Sequence, residues 1–421
     1  MKVKKLELNN FRGFRKATIE FPDSNLAVFI GTNGKGKSSI LDAVAIMLTG
    51  FFGFKIGSEE DMLLNYDDIR FGERAVEVGA QCAFFNDDYK ISNQLALGGL
   101  PISRGYPNKG VFSGDYNPNI LPILAYYKTN RELVPTDTEK ANRPGGRTSA
   151  YHNAISAGIS AFRDFSEWFR FEEDIENQGK IERQDFKYDS PKLKPIRRSV
   201  TELLSKFDAD FSELKVRRQN EPEIDFSRPS QKFELSIKKN GEELKLSQLS
   251  SGERALLLLV ADIARRAAVL NPQLPDPLQS EGIVLIDEIE LHLHPKWQRE
   301  VIPALLATFP NIQFLITTHS PQVLSRVDKE DIFLLENGEV FKLSSNPKGL
   351  DTNAILEEIM DTPKYPQHVD DLVAKLFTLI QQKKFDQAGT VREQIVHETS
   401  PEYPILRQAD SMMERLKVLY P

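Results

Sequence analysis

Three short, almost wholly apolar runs indicate buried strands: Leu26–Ile30, Gly282–Ile286 and Ile312–Thr318. Between the second and third runs, residues 295–306 have helical periodicity, and residues 255–270 form a helical segment ahead of the second run. Apolar strands that alternate with helices are typical of a sheet that is covered on both faces. The pattern therefore predicts an α/β fold with a mixed, largely parallel sheet.

Alternation of apolar and polar residues predicts antiparallel strands elsewhere in the chain. It runs through Ala75–Phe85 and returns in Phe233–Leu246, where Asn240 and Gly241 form a hairpin-turn signal. Leu121–Tyr127 is a further candidate for a buried strand.

Helical periodicity dominates two other stretches. From about 151 to 215, four aromatic residues share one helical face and are expected to pack in a core rather than to stack on a cofactor: Phe162, Phe165, Trp168 and Phe169. Near the C-terminus, an apolar stripe over Val369–Ile380 and a second segment over Leu406–Leu419 predict two helices.

These patterns divide the 421 residues into four parts. We expect an N-terminal lobe at 1–150, an inserted helical subdomain at 151–232, a second lobe at 233–345 and a helical C-terminal appendage at 346–421. Within it, residues 351–421 have 8 Lys or Arg and 12 Asp or Glu residues, which favours docking on protein over docking on nucleic acid.

The first apolar run leads directly into Gly31–Ser38, which fits the P-loop pattern G-x-x-x-x-G-K-[ST] and precedes a helix. A strand, a glycine-rich turn and a helix N-terminus together direct backbone N–H groups at a phosphate. Lys37 is expected to neutralise β/γ-phosphate charge, and the Ser38 hydroxyl to coordinate Mg²⁺. The predicted ATP-binding residues of this loop are Asn33, Gly34, Lys35, Gly36, Lys37, Ser38 and Ser39.

The second apolar run ends in two carboxylates, Asp287 and Glu288, as in a Walker B strand. Asp287 is expected to hold the Mg²⁺ shell with Ser38. Glu288 is the candidate catalytic residue that orients and polarises the attacking water.

Composition narrows the class of protein. Hydrophobic residues at 40% and charged residues at 27% are typical of a globular protein, and no apolar stretch approaches a membrane span. The single cysteine, Cys82, suits a reducing cytosol, so a cytoplasmic location is expected. A net charge of −7 argues against a whole-protein electrostatic grip on DNA, although basic residues cluster within 192–218. That cluster is interpreted first as solvated helix surface and second as a phosphate-binding patch.

Leu249–Arg254 lies just before a helix and resembles the ABC signature in the L-S-x-G-E form of DNA-repair ABC ATPases. The resemblance implies that Ser250, Ser251, Gly252 and Glu253 act in trans, on the nucleotide held by another subunit. It therefore implies a homodimer formed through the ATP sites, and it leaves assembly above the dimer open.

Other segments resemble the same group. His319 follows the strand after Walker B, where this superfamily has a catalytic switch histidine. The run Asp287–Pro295 is similar to the D-loop of RecF-like and OLD-like ABC ATPases, with a separate metal site at His292 and His294 as the alternative. The turn at Asn9–Phe14 also matches, which makes Arg12 a candidate phosphate or base contact. No glutamine is assigned to a Q-loop.

Together the motifs resemble the SMC/RecF/OLD branch of ABC ATPases, without long coiled-coil arms. Bacterial proteins of this kind often serve as ATPase subunits of anti-phage defence systems, with Septu-type and retron-associated ATPases as the nearest comparison. The resemblance implies ATP and Mg²⁺ as ligands, and a dimerising switch that controls a separate effector. An HNH-type nuclease, docked on the C-terminal helices, is the effector that the comparison suggests.

Two alternatives remain open from the sequence. A RecF-like clamp would bind duplex DNA through the basic residues of 192–218. The nucleotide-binding subunit of a transporter fits poorly, because the L-H-L-H-P run after Walker B and the helical tail are not transporter features.

Overall fold

The structure is a computed structural model. It describes residues 1–52, 62–84, 87–104, 120–129, 146–155, 160–207, 210–218, 233–360, 367–401 and 403–419. The chain forms two compact units, Met1–Leu350 and Asp351–Pro421.

The described strands of the first unit are β1 (Lys2–Phe11), β2 (Phe14–Glu20), β3 (Leu26–Ile30), β4 (Ala75–Phe84), β5 (Asp87–Ala96), β6 (Ile102–Arg104), β7 (Ile123–Tyr127), β8 (Phe211–Arg218), β9 (Phe233–Lys239), β10 (Glu242–Lys245), β11 (Gly282–Ile286), β12 (Ile312–Thr317), β13 (Ile332–Glu336) and β14 (Glu339–Lys342). Its helices are α1 (Lys37–Phe52), α2 (Ser160–Arg183), α3 (Leu193–Leu204), α4 (Ser251–Leu270), α5 (Pro295–Thr308) and α6 (Pro321–Leu324). The helices of the second unit are α7 (Thr352–Glu358), α8 (Gln367–Gln381), α9 (Phe385–Glu398) and α10 (Pro404–Leu419).

A six-stranded sheet of order β14-β13-β3-β12-β11-β7 forms the centre of the first unit. All its pairs are parallel except β13 with β14. Every residue of β3, β7, β11 and β12 is buried, which explains their continuous apolar sequences. The predicted α/β fold with a mixed, largely parallel sheet is confirmed. Because β3, β11 and β12 are parallel neighbours, the residues that follow them lie at one edge of the sheet.

A second, antiparallel sheet of order β2-β1-β4-β5-β6 contains the predicted strand at 75–85. Gln313 of β12, which is buried, ties the two sheets together: its Oε1 accepts from the amide of Val3 at 2.8 Å and its Nε2 donates to the Val3 carbonyl at 3.0 Å. The carboxamide thus satisfies backbone groups of β1 without adding charge to the core.

The helical insertion packs as expected at its aromatic face, where Phe165, Trp168 and Phe169 are buried. The side chain of Phe162 lies outside the described residues. The helical pattern ends earlier than the sequence suggested, because β8 is a strand that pairs antiparallel with β9. Apolar residues of β8 at Phe211 and Leu214 are buried.

Most basic residues of 192–218 that the structure describes pair with carboxylates. Arg197 lies within 2.8 Å of Glu176 and Asp189 and 3.3 Å of Glu173. Three further pairs are Lys192 with Glu172, Arg198 with Asp276, and Lys215 with Glu243. These cations are paired with carboxylates, and the side chains of Lys192, Arg198 and Lys215 remain 39–44% exposed.

The second unit is a small helical bundle whose core is formed by α8, α9 and α10. The two predicted helices are present as α8 and α10, but α9 between them was not predicted. Its buried positions Ala388, Val391 and Ile395 follow helical spacing, whereas Gly389 and Thr390 interrupt the pattern with weak helix formers. Within the described residues, no helix has the combination of length and apolar character that crossing a membrane requires.

Candidate functional site

The loop between β3 and α1 has two glycines that tolerate no side chain. Gly31 has φ +143°, and a Cβ there would lie 2.5 Å from the Leu335 carbonyl oxygen. Gly36 has φ +96°, and a Cβ there would lie 2.7 Å from the ring of Phe14. The backbone therefore curves tightly around the start of α1, which begins at Lys37 and leaves its first amides without partners inside the helix.

Lys37 is the buried cation of this loop. Its Nζ donates to the carbonyl oxygens of Gly31 at 2.9 Å and Thr32 at 3.2 Å. Burial lowers the pKa of Lys37, while the carboxylates of Asp287, Glu288 and Glu290 oppose that shift. Lys35 does not share these contacts with the loop carbonyls: its Nζ donates to the Asn337 side chain at 2.9 Å.

The ends of β11 and β12 bring two carboxylates to the same loop. The Ser38 hydroxyl donates to Asp287 Oδ2 at 2.9 Å, and the Thr317 hydroxyl donates to Asp287 Oδ1 at 2.5 Å. Glu288 has φ +49°, a left-handed conformation that is strained for a residue with a Cβ. Its amide donates to Thr317 Oγ1 at 2.8 Å, which holds that turn.

His319 is half-buried beyond β12. Burial and the neighbouring Lys37 charge lower its pKa, and Glu290, Glu288 and Asp287 oppose that shift. Desolvation and a nearby cation both favour the neutral imidazole. The His319 side chain thus lies within electrostatic range of Lys37 and of the Walker B carboxylates.

These residues suit a nucleoside triphosphate with Mg²⁺. The glycine-rich loop turns tightly into the start of α1, and this helix start and Lys37 supply positive charge for a phosphate. Two side-chain oxygens, Ser38 Oγ and Asp287 Oδ2, lie 2.9 Å apart, and oxygens are the ligands that Mg²⁺ prefers. The donor set therefore fits the group that the P-loop pattern implies.

Arg12 lies in a cluster beside α1. Its Nη1 donates to Asp42 at 2.6 Å and its Nε donates to Asp68 at 2.9 Å. Asp42 also accepts from the Tyr126 hydroxyl at 2.9 Å, and Lys128 Nζ lies 3.9 Å from it. The structure thus places Arg12 against two carboxylates, a pairing without a local sequence signal, and its contact with phosphate or base stays a prediction.

The signature residues form the N-terminus of α4. Ser250 is the N-cap: its Oγ accepts from the Glu253 amide at 3.3 Å, and Glu253 Oε2 accepts from the Ser250 amide at 2.9 Å. Lys239 holds the other oxygen of Glu253 at 2.6 Å. A Cβ on Gly252 would lie 2.5 Å from the His292 carbonyl oxygen, so glycine lets α4 pack on the loop after β11. Ser251, by contrast, is exposed.

The two histidines after Walker B, His292 and His294, have different structural roles. The His294 ring accepts a hydrogen bond from the Lys296 amide at 3.3 Å and caps α5. His292 has φ +67°, and its carbonyl packs against Gly252. No group of three or more His, Cys, Asp or Glu suited to a metal occurs in the described part of the chain. His294 thus has a structural explanation as a helix cap.

The strand β7 lies beside β11, and the Asp287 amide donates to the Tyr127 carbonyl at 2.8 Å. Lys128 therefore follows β7 next to the Walker B carboxylates. Residues 130–145, which come soon after, lie outside the described residues.

Sequence reasoning missed three residues of this site: Asp42, Thr317 and Glu290. Glu290 Oε1 accepts from the His319 amide at 2.6 Å, and its Oε2 accepts from the Thr318 hydroxyl at 2.8 Å. Thr317 and Glu290 adjoin residues that were named, and their polar side chains beside buried strands are the only local signal. Their partners lie about thirty residues away in the chain, as the 28 to 30-residue separations show.

Comparison with known proteins identifies a sequence family and several relatives of this chain. Residues 26–325 match the sequence family described as "AAA domain, putative AbiEii toxin, Type IV TA system". The retron Vc95 probable ATPase of Vibrio cholerae serotype O1 biovar El Tor is 30% identical over 439 residues, covering 89% of this chain and 82% of that protein. Septu protein PtuA of Bacillus thuringiensis is 23% identical, with 87% of each chain covered.

Among solved structures, an SMC head bound to the C-winged helix domain of ScpA is similar, with a TM-score of 0.49 and 18% identity. That similarity covers 82% of this chain and 98% of the SMC head. The predicted resemblance to retron and Septu ATPases is confirmed by the two relatives above. The chain therefore belongs to this AAA-domain family and is an ATPase similar to the retron and Septu proteins.

Proposed function

We propose that this protein is an ATP-hydrolysing switch that dimerises around ATP and controls a separate defence effector. The observation that carries the proposal is the convergence of the P-loop with Walker B: Ser38 and Asp287 lie in hydrogen-bond contact at 2.9 Å, with Glu288 beside them. That arrangement is what phosphoryl transfer to water requires, since positioning and electrostatics provide most of the catalysis.

In this proposal each side chain has a separate task. Lys37 would leave the carbonyls of its own loop and bind the β/γ-phosphates, while Ser38 and Asp287 would hold Mg²⁺. A bound Mg²⁺ supplies charge neutralisation at those phosphates. Glu288 orients and deprotonates the attacking water, and neutral His319 donates a hydrogen bond to the γ-phosphate.

The dimer is proposed from the signature residues Ser250–Glu253 at the start of α4. Ser250 caps α4 by accepting a hydrogen bond, so its hydroxyl proton remains available to a phosphate oxygen. The start of α4 adds the positive end of a helix dipole. By the resemblance to ABC ATPases, these groups serve the nucleotide of the partner subunit.

Effector control is proposed from the relatives and from the second unit. The relatives include a retron ATPase and a Septu protein. The acidic helices of Asp351–Pro421 form a unit of their own, which suits a docking module. We propose that the effector is an HNH-type nuclease bound there. The RecF-like DNA clamp is disfavoured, because Lys192, Arg197, Arg198 and Lys215 are paired with carboxylates.

Glu288→Gln tests the proposed chemistry. The amide cannot accept a proton, so we expect ATP turnover to fall by about 100-fold or more while ATP binding remains. Because hydrolysis opens the proposed clamp, the variant should accumulate as an ATP-bound dimer in analytical ultracentrifugation. Glu339→Gln, on an exposed strand, is the matched control. Wild-type turnover in Glu288→Gln would contradict the assignment.

Gly252→Ala tests the signature. The added Cβ collides with the His292 carbonyl, and relieving that overlap costs about 1–3 kcal/mol and displaces the start of α4. We expect ATP affinity to be retained and both ATP-dependent dimerisation and turnover to fall. Gly389→Ala is the control, because its Cβ would have no heavy atom within 4 Å.

Mixing variants shows whether the signature acts in trans. A Lys37→Ala subunit keeps its signature, and a Gly252→Ala subunit keeps its P-loop. An equimolar mixture should recover about a quarter of wild-type turnover, because half of the symmetric dimers are mixed and each mixed dimer has one intact site. A mixture as inactive as either variant alone would mean that each signature serves its own subunit.

A further inference from the structure

Two loops meet at the edge of the central sheet, and one carboxylate ties them together. The first loop, residues 287–294, follows β11. The second, residues 318–320, follows β12 and contains His319. Glu290 of the first loop accepts from the backbone amide of His319 at 2.6 Å and from the Thr318 hydroxyl at 2.8 Å. Both carboxylate oxygens are therefore used on the second loop.

Gln298 of α5 adds a second tie between the same loops. Its Nε2 donates to the Leu293 carbonyl at 2.8 Å, and its Oε1 accepts from the Ser320 hydroxyl at 2.6 Å. Thr318, His319 and Ser320 are thus each held by a side chain that follows the Walker B strand. The Ile289 amide donates to the Thr317 carbonyl at 3.2 Å and continues the junction.

The contact with Glu290 uses the backbone of His319 and not its ring. The imidazole therefore keeps both nitrogens for chemistry, while the main chain that carries it is anchored. Hydrogen bonds to a charged carboxylate are stronger than those between neutral groups, so this anchor is rigid. A group that acts on a transition state must be held within a fraction of an ångström of its working position.

We propose that Glu290 is a positioning residue that holds His319 in place for ATP hydrolysis, with Gln298 supporting the same loop. The proposal rests on the function proposed above for His319. It assigns to Glu290 no contact with ATP and no place in the Mg²⁺ shell.

The test is a double-mutant cycle on ATP turnover with Glu290→Ala, His319→Ala and the double variant. We expect Glu290→Ala to lower kcat by about 10- to 100-fold with little change in KM for ATP, because one charge-assisted anchor is lost while the P-loop is intact. In the His319→Ala background the same change should cost less than about twofold, because there is no ring left to position.

Conservative variants guard against loss of folding. Glu290→Gln keeps one acceptor oxygen and should recover part of kcat. Thr318→Val removes the hydroxyl donor but leaves the hydrogen bond from the His319 amide to Glu290. Thr318→Val should show a smaller loss with the same dependence on His319. Glu300→Gln, at an exposed surface pair, should behave as wild type.

Each other outcome overturns the proposal in a distinct way. Equal losses in both backgrounds mean that Glu290 acts other than through His319. A large rise in the Mg²⁺ concentration needed for turnover means that Glu290 acts on the metal. Wild-type kcat in His319→Ala would remove the proposed role of the histidine together with that of Glu290. A fall in kcat that occurs in His319→Ala but not in Glu290→Ala would remove only the proposed role of Glu290.

Discussion

Lys37→Ala is expected to abolish ATP binding at micromolar concentrations. Lys37 is 7% exposed and its ammonium lies among the carbonyls of Gly31 and Thr32, at the point where the P-loop closes. Removing one partner of a buried charge pair costs about 2–5 kcal/mol, which corresponds to roughly 30- to 5,000-fold in affinity. Isothermal titration with ATP and Mg²⁺ measures this directly.

Lys348→Ala is the control for this experiment, since Lys348 forms an exposed pair with Asp328. The control should bind ATP as tightly as wild type. Tight binding by Lys37→Ala itself would show that the P-loop is not the nucleotide site, and the proposed function would then fail as a whole.

Asp262→Asn is expected to destabilise the first unit strongly. Asp262 is fully buried and accepts from the Tyr127 hydroxyl at 2.7 Å, from Arg265 at 2.6 Å and from Arg266 at 2.8 Å. Asparagine would leave two arginines without a counter-charge, and Arg266 is only 1% exposed. Breaking a buried ion pair in this way costs about 3–5 kcal/mol.

Urea unfolding followed by tryptophan fluorescence measures this loss, because Trp168 and Trp297 both lie in the first unit. Asp328→Asn breaks the exposed pair with Lys348 and should cost less than about 1 kcal/mol. Equal free energies of unfolding for the two variants would show that the buried cluster adds nothing.

The same cluster predicts a pH dependence. Burial alone would raise the pKa of Asp262, but Arg266 and Arg265 outweigh it and hold that pKa at about 2. A carboxylate with a depressed pKa stabilises the folded state above the ordinary carboxyl range, and this contribution is lost as the pH falls towards the folded-state pKa. The difference in unfolding free energy between wild type and Asp262→Asn should therefore shrink as the pH falls from about 4 to about 2.

Much of the fold could be predicted from local patterns. Continuous apolar runs marked β3, β11 and β12, because strands buried on both faces need no polar side chains. The strand β8 and the helix α9 were missed. The first follows a helical segment directly, and the second is interrupted by Gly389 and Thr390, so competing local preferences hid both elements.

The candidate site, like the fold, has a part that local sequence patterns predict and a part that they do not. Gly31–Ser38, Asp287 and Glu288 could be named from the sequence alone, since a P-loop and a Walker B strand are each built from consecutive residues whose chemistry follows from their order. The roles predicted for these residues, as for Ser250–Glu253 and His319, stay predictions that the experiments above address.

By itself, then, the sequence determined the α/β order of elements, the glycine-rich loop after β3 and the pair of carboxylates that follows β11. Only the tertiary structure decided which side chains hold these parts in place: Glu290 on the His319 loop, Asp262 between Tyr127 and two arginines, and the Asp42 and Asp68 carboxylates around Arg12. The reason is physical. A turn or a strand depends on neighbours along the chain, whereas a buried ion pair depends on which distant residues the packed sheet and helices bring within 3 Å of each other.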